Sequence, residues 1–345
     1  MTNIQKIIYI LMLCFISLIV FSSRVPACQV PVFRYALEQW LPDIYEIFIF
    51  HNGSFSETDI SNIEWLKKNS VSSINYSNFR ITTIDIEAGI PDGLRELWGN
   101  LDSHELPRLA VMYPRSTGIK QVVWHGKLTA DNAKSVVHSP ARQKVAERIL
   151  DSDSIVWILL EGSDRMANDT TADTLQTCLK KMGDNLLLPE QNFDTIDQFG
   201  NVQETARDIH VKISMIRLSR EEAAEFIFIN MLMYSEPDLL EYSSYPMAFP
   251  VYGRGRILYA LIGKGINEQN IYRACSFLTG PCSCEVKAEN PGVDLLMPVN
   301  WEAGIAENAP SASPLFRNSV VTLISIILAI AVVSLKIAHR KSENT

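Results

Sequence analysis

Residues 155–164 read Ile-Val-Trp-Ile-Leu-Leu-Glu-Gly-Ser-Asp, an unbroken apolar run that ends in a polar turn containing a glycine. Residues 45–54 repeat this order as Tyr-Glu-Ile-Phe-Ile-Phe-His-Asn-Gly-Ser. A short apolar run bounded by turn residues is typical of a strand that is buried on both faces. Because helix-forming residues follow each run, the two stretches predict two central strands that each lead into a helix.

The residues around the two central strands predict the same succession of elements in both halves of the chain. In the first half the expected elements are helices at 31–40 and 56–68, a strand at 79–86, a helix at 94–98, strands at 108–113 and 121–124, and a mainly helical segment over 129–150 that is interrupted near Pro140. In the second half they are a helix at 170–182, a strand at 210–218, a helix at 221–234, a strand ending at 252, a strand at 256–262 and a helix at 268–278. Alternating strands and helices predict the α/β class.

The order strand, helix, strand, helix, proline, hairpin, helix resembles the thioredoxin fold, and it occurs twice, over about 40–150 and 154–279. Pro107 and Pro246 precede the third strand of each half and look like the proline that in thioredoxins is cis and faces the redox pair. The resemblance implies two tandem thioredoxin-like domains, at 28–150 and 151–285.

Three further stretches resemble a second, uncharacterised family of secreted, membrane-anchored bacterial proteins. They are the 13 residues from Cys28 to Trp40, Gly-Lys-Gly-Ile-Asn-Glu-Gln-Asn at 263–270 and Gly-Pro-Cys-Ser-Cys at 280–284. This resemblance implies a location but supplies no activity.

The chain departs from thioredoxins where those proteins carry Cys-x-x-Cys at the start of the helix that follows the first central strand. The corresponding positions read His51-Asn52-Gly53-Ser54 and Glu161-Gly162-Ser163-Asp164, without a cysteine. Open α/β sheets bind ligands at the carboxyl ends of their strands. His51, Asn52, Glu161 and Asp164 are therefore candidates for lining a cleft, with ordinary helix-capping loops as the alternative.

The cysteines offer a second candidate site. Cys282 and Cys284 are separated by one serine, and Cys275 lies seven residues before Cys282. Three interpretations stay open: structural disulfides, a strained and oxidising exchange site, and soft-metal binding by two thiolates. The spacing of the histidines predicts no metal site, and we expect no cofactor.

The two ends of the chain predict export and anchoring. Residues 1–27 have a basic start, an apolar stretch and small residues before Cys28, as in a secretory signal peptide. Lipidation of Cys28 and an uncleaved N-terminal anchor are the alternatives.

Residues 319–337 are almost entirely apolar and are followed by a basic tail at 338–345, which predicts a single transmembrane helix with a cytoplasmic C-terminus. Residues 286–318 then form a stalk, and residues 28–318 lie outside the cytoplasm, in the periplasm if the source is a Gram-negative bacterium.

The charge balance excludes nucleic acid as the main partner. The whole chain has 31 basic and 39 acidic residues, a net charge of −8. The predicted extracytoplasmic part, residues 28–318, has 26 basic and 38 acidic residues, a net charge of −12. Binding to phosphate backbones requires a basic face.

We therefore expect a membrane-anchored binding or scaffold protein that meets protein partners outside the cytoplasm. An envelope thiol–disulfide oxidoreductase that uses Cys282 and Cys284 is the alternative, and a copper-handling protein is the third hypothesis.

Overall fold

The structure is a computed structural model that describes residues 30–308, with gaps at 72–76, 103–104, 187, 189–193, 197–201, 205–210 and 283–285. The described residues up to Pro298 belong to one compact unit, and a second unit begins at Val299. The fold is mixed α/β, as the sequence predicts, with two main sheets of four and six strands.

The strands follow the predicted central runs and their neighbours. The first sheet contains β1 (Tyr45–His51), β2 (Phe79–Asp85), β3 (Arg108–Met112) and β4 (Val122–Lys127). The second contains β5 (Ile155–Leu160), β8 (Ile213–Leu218), β9 (Met247–Tyr252), β10 (Arg256–Ile257), β11 (Leu261–Ile262) and β12 (Val293–Asp294), whereas β6 (Asp194–Ile196) and β7 (Val202–Glu204) pair with each other.

The helices alternate with the strands. They are α1 (Val32–Gln39), α2 (Glu57–Asn69), α3 (Asp92–Gly99), α4 (Ala130–Val137), α5 (Pro140–Leu150), α6 (Arg165–Asn185), α7 (Phe226–Met233), α8 (Glu268–Thr279) and α9 (Trp301–Asn308). The interruption expected near Pro140 divides the helical segment at 129–150 into two helices, because Ser139 caps a new helix whose first residue is Pro140. In the second unit, the Asn300 side chain accepts a hydrogen bond from Ala303 in the first turn of α9.

The two main sheets share one strand order. The first runs β2-β1-β3-β4, and the second contains β8-β5-β9-β10 with β12 added at its edge. In each sheet the first strand in the chain lies in the middle, parallel to the second strand and antiparallel to the third. The carboxyl ends of β1 and β2, and of β5 and β8, therefore lie together at one edge of their sheet.

The return strand expected at 256–262 is interrupted. Ile257 pairs with Val251 and Leu261 pairs with Ala248, so the return strand advances four residues where β9 advances three. One extra residue at 258–260 therefore divides the return strand into β10 and β11. Pro250 lies in this part of β9 and has no N–H to donate to the ladder.

The core of the second sheet is built on β5, all six of whose residues have no exposed surface. Its continuous apolar sequence follows from burial on both faces of the sheet. The helix α1 contributes Val32 and Ala36 to this core, and Trp40 directly after it also belongs to the core. A Cβ at Gly253 would lie 2.6 Å from the Ala36 Cβ, so the close approach of the turn after β9 to α1 requires a glycine.

The packing of α1 corrects the expected boundaries of the first half. The sequence places residues 28–150 together, but α1 contributes to the hydrophobic core of the second half. The chain also pairs here with residues near the end of α8, since Val32 N–H donates to the Gly280 carbonyl and Cys282 N–H donates to the Val30 carbonyl. The position of α1 is therefore determined by contacts between residues that are distant in the sequence. A local hydrophobic pattern does not predict such contacts.

Residues 293–297, Val-Asp-Leu-Leu-Met, correct the expected stalk. Leu295, Leu296 and Met297 have no exposed surface, and β12 extends the second sheet. The prediction that the stalk begins at residue 286 is therefore wrong for this segment. Burial of these apolar side chains against the edge of the sheet is favourable, whereas in a solvated linker they would be exposed to water. Residues 309–318 lie outside the described part of the chain.

Asp294 joins this segment to both halves of the molecule. Its carboxylate, 2% exposed, accepts hydrogen bonds from Arg256 Nη1 at 2.9 Å, from Lys287 Nζ, and from Asp43 N–H at 2.7 Å. Its backbone carbonyl accepts from the Tyr45 hydroxyl at 2.9 Å. Two cations and one backbone N–H thus neutralise one buried carboxylate.

Replacement of Asp294 by asparagine is expected to lower the free energy of unfolding by about 3 kcal/mol, because Arg256 loses its buried counter-ion and Lys287 keeps only Asp43, at 2.8 Å. Urea unfolding of the full-length chain in detergent, followed by tryptophan fluorescence, measures the change. The control is Asp92→Asn, which removes an ion pair to Arg95 between two largely exposed side chains and should change nothing measurable. Equal stabilities of the two variants would contradict the prediction.

Candidate functional site

The loop after β1 carries two of the residues expected to line a cleft, His51 and Asn52. The His51 ring centroid lies 4.1 Å from that of Phe55, and its Nδ1 is hydrogen-bonded to the Gly53 carbonyl at 2.8 Å. Gly53 has φ +62°, in the left-handed region that glycine adopts without strain. His51 therefore contacts its own loop, while Asn52 is exposed.

The loop after β5 is fixed by hydrogen bonds on both sides. The Asn168 side-chain oxygen accepts from Gly162 N–H at 2.7 Å, and its amide donates to the Gly162 carbonyl at 2.9 Å. A Cβ at Gly162 would lie 2.4 Å from the Ser244 carbonyl oxygen, so only glycine allows this approach. Asp164 accepts from two backbone N–H groups in the first turn of α6 and is its N-cap.

A cavity of about 620 Å³ lies at this loop, beside the carboxyl ends of the parallel strands β5 and β8. Its volume is in the range of small-molecule sites, and its walls are mostly polar. Glu161 is one of the lining residues, and Arg217 donates to it at 2.7 Å and to Asp169 at 2.8 Å. Of the two acidic candidates in this loop, Glu161 therefore lines a cavity and Asp164 caps a helix.

The two prolines expected before the third strands differ. The Leu106–Pro107 peptide bond is cis, and no other cis bond occurs among the described residues. The bond before Pro246 is therefore trans, and its cis assignment is wrong. The trans form is the ordinary one for proline, and here the Pro246 carbonyl accepts a hydrogen bond from Gly263 N–H at 2.9 Å.

Three of the cysteines lie in the core of the second sheet. Cys178, Cys275 and Cys282 are buried in one hydrophobic cluster with exposed fractions of 7%, 0% and 3%. Burial raises the pKa of Cys275 to about 12, although the indole N–H of Trp157 opposes the rise. The Cys275 thiol is therefore neutral at physiological pH and unsuited to nucleophilic exchange.

The remaining cysteine candidates, Cys28 and Cys284, lie outside the described residues. Within the part of the chain that the structure describes, no group of three or more histidine, cysteine, aspartate or glutamate side chains is placed to hold a metal ion.

Asp102, Arg108 and His125 form a polar cluster that no motif in the sequence indicates. Arg108 Nη2 lies 3.0 Å from Asp102 Oδ1 and 2.7 Å from His125 Nδ1. Because a guanidinium only donates, Nδ1 accepts and the neutral ring carries its proton on Nε2. The alternation of side chains along the strands indicates this proximity. His125 pairs with Ala110, which lies two residues after Arg108 and therefore on the same face of the sheet.

The comparisons with known proteins assign the chain to no family. No protein-family model matches the sequence, and no curated protein gives a significant match. None of the helices within the described residues has the length and apolar character needed to cross a membrane. The predicted signal peptide at 1–27 and the predicted transmembrane helix at 319–337 lie outside those residues.

The folded protein is expected to lose stability through His125 as the pH falls. Burial, followed by the charge of Arg108, lowers the pKa of His125 below its ordinary value of 6.5, while Asp102 opposes the shift. The unfolded chain therefore binds the proton first, and stability falls from about pH 6.5 down to the lower pKa of the folded state.

Urea unfolding at a series of pH values tests this dependence. Below pH 6.5, wild-type stability should decline more steeply than that of His125→Gln, whose side chain does not titrate. If the free energy of unfolding of the two proteins changed with pH in the same way, His125 would not contribute to the pH dependence of stability.

Proposed function

We propose that this chain is a membrane-anchored extracytoplasmic protein with two thioredoxin-like halves, and that it binds or scaffolds other molecules without the redox chemistry of that fold. Its partners are proteins outside the cytoplasm and the membrane itself.

The shared strand order supports the thioredoxin-like interpretation. In each sheet a central strand is parallel to the next strand and antiparallel to the third, and the third is antiparallel to a fourth. A helix follows each central strand, and helices follow the last strands of each half. This element order resembles that of the thioredoxin fold, and it recurs in both halves.

The composition of the two strand–helix loops carries the proposal of a non-redox function. The positions that would hold a dithiol are occupied by His51, which contacts its own loop, and by Asp164, which caps α6. The thiol of Cys275 is buried and its pKa is raised to about 12. Thiol–disulfide exchange needs an accessible thiolate, which these positions do not provide.

The sequence of the two ends supports the location. An apolar stretch within residues 1–27 and a second one at 319–337, followed by lysine and arginine, favour export of the intervening part and its retention at the membrane. The −12 net charge of residues 28–318 favours partners other than nucleic acid.

A disulfide-exchange assay tests the non-redox proposal. The full-length chain in detergent is mixed with a disulfide-bonded protein substrate and a small-thiol reductant. We expect the rate to equal that of the reductant alone, because the thiol of Cys275 is buried and neutral. Cys282→Ser and Cys284→Ser should give the same rate.

Catalysed exchange by the wild type would overturn the non-redox proposal. If Cys282→Ser or Cys284→Ser then abolished the activity, the oxidoreductase alternative would be correct, and unchanged activity in both variants would place the reactive thiol elsewhere.

The orientation in the membrane is tested with a reporter fused after Thr345. A reporter that is active only in the cytoplasm should be active, because the basic residues after position 335 favour the cytoplasmic side. Activity of a reporter that works only outside the cytoplasm would contradict the proposed orientation.

A further inference from the structure

Arg220 is a partly buried cation beside the cavity at the ends of β5 and β8. Its Nε donates to the Glu161 backbone carbonyl at 2.7 Å, and its Nη1 contacts the Met233 sulfur at 3.0 Å. Its Nη2 is buried and has no hydrogen-bond partner among the described residues. Burial lowers the pKa of Arg220, with no carboxylate contributing an opposing shift. A buried guanidinium without a counter-ion is destabilising, and an anion would relieve this cost.

The other two arginines that line the cavity differ from each other in whether they have a counter-ion. Arg217 is already neutralised, since it donates to both Glu161 and Asp169. Arg165 lines the cavity, is exposed, and has no ion pair among the described residues. Arg165 and Arg220 are thus the two cations of this cavity that remain available for an added negative charge.

Hydroxyl groups complete a donor set for oxygen atoms. Ser219 lines the cavity, and its Oγ accepts a hydrogen bond from Glu221 N–H at 3.2 Å, which leaves the hydroxyl proton for another acceptor. Ser243 also lines the wall, whereas the Ser163 hydroxyl already donates to the Ser244 carbonyl at 3.3 Å. The N-terminus of α6 is not part of this set, because Asp164 already accepts from its first turn.

We propose that this cavity binds a small oxyanion, a carboxylate or a phosphate, through Arg220 and Arg165. Arginine suits both groups, because its planar fork of donors matches their oxygen atoms. The inference rests on the proposed binding function and supplies the chemistry of one ligand. Glu221 is an exposed carboxylate on the cavity wall and opposes anion binding. Its replacement by glutamine should therefore raise the affinity for an anion.

Isothermal titration calorimetry of the full-length chain in detergent tests the proposal. Inorganic phosphate and malonate are the two probes, and sodium chloride of equal ionic strength is the blank. We expect one site with a dissociation constant below about 1 mM for at least one probe. Binding of phosphate alone identifies a phosphate site, and binding of malonate alone identifies a carboxylate site.

Four variants distinguish this site from general charge effects. Arg220→Gln and Arg165→Gln should each weaken binding at least about tenfold, because each removes a charged hydrogen-bond donor. Glu221→Gln should tighten binding about threefold by removing a like charge. Arg95→Gln removes the same charge as the arginine variants at an exposed position on α3 and should leave the affinity unchanged.

Absence of binding tighter than about 1 mM by the wild type would overturn the proposal. So would affinities that do not change in Arg165→Gln and Glu221→Gln, which alter exposed side chains and decide the question if Arg220→Gln does not fold. Neither of these outcomes would affect the conclusion drawn from the disulfide-exchange assay. Conversely, catalysed exchange would remove the non-redox function and leave the titration standing.

Discussion

The buried carboxylate of Asp294 is the interaction on which the arrangement of the two halves depends. Arg256 on β10 and Lys287 provide its counter-ions, while Asp43 N–H and the Tyr45 hydroxyl bring the start of β1 to the same residue. Burying either of these cations without the carboxylate would be unfavourable. The three charges therefore fix the positions of Asp294, Arg256 and Lys287 relative to one another. Through them, the entry to the first sheet is attached to the edge of the second.

The segment that follows Asp294 extends this attachment. The Asn78 amide donates to the Leu295 carbonyl at 3.0 Å and its oxygen accepts from Met297 N–H at 2.7 Å, while the buried Arg142 donates to the Leu296 carbonyl. These are side chains of the first half that satisfy backbone groups of a buried strand end, which would otherwise lack partners. The loops at the carboxyl ends of the strands therefore project from a framework whose two halves are hydrogen-bonded to each other.

The sequence predicts the regular elements well and their long-range placement poorly. The runs at 45–50 and 155–160 are recognisable because burial on both faces requires continuous apolar residues, as β5 demonstrates. The position of α1 and of residues 293–297 depends on contacts that are distant in the sequence, such as that of Leu295 with Asn78, and a hydrophobic pattern does not identify its partner. Arg220 was predictable in principle, since it follows β8 and the carboxyl ends of parallel neighbours meet.

The two halves share a strand order but differ at the edge where such sheets bind ligands. In the first half, His51 is hydrogen-bonded to the Gly53 carbonyl of its own loop, and Gly53 N–H donates to the Asp85 side chain at the end of β2. In the second, Gly162 contacts the backbone of Ser244 and Asn168 clamps the loop, while Arg220 Nη2 remains without a partner beside a cavity. The described residues provide no acceptor for that nitrogen, and an oxyanion in the cavity is the acceptor that we propose. The same rigidity that fixes the loop thus makes the second half the better place for a ligand.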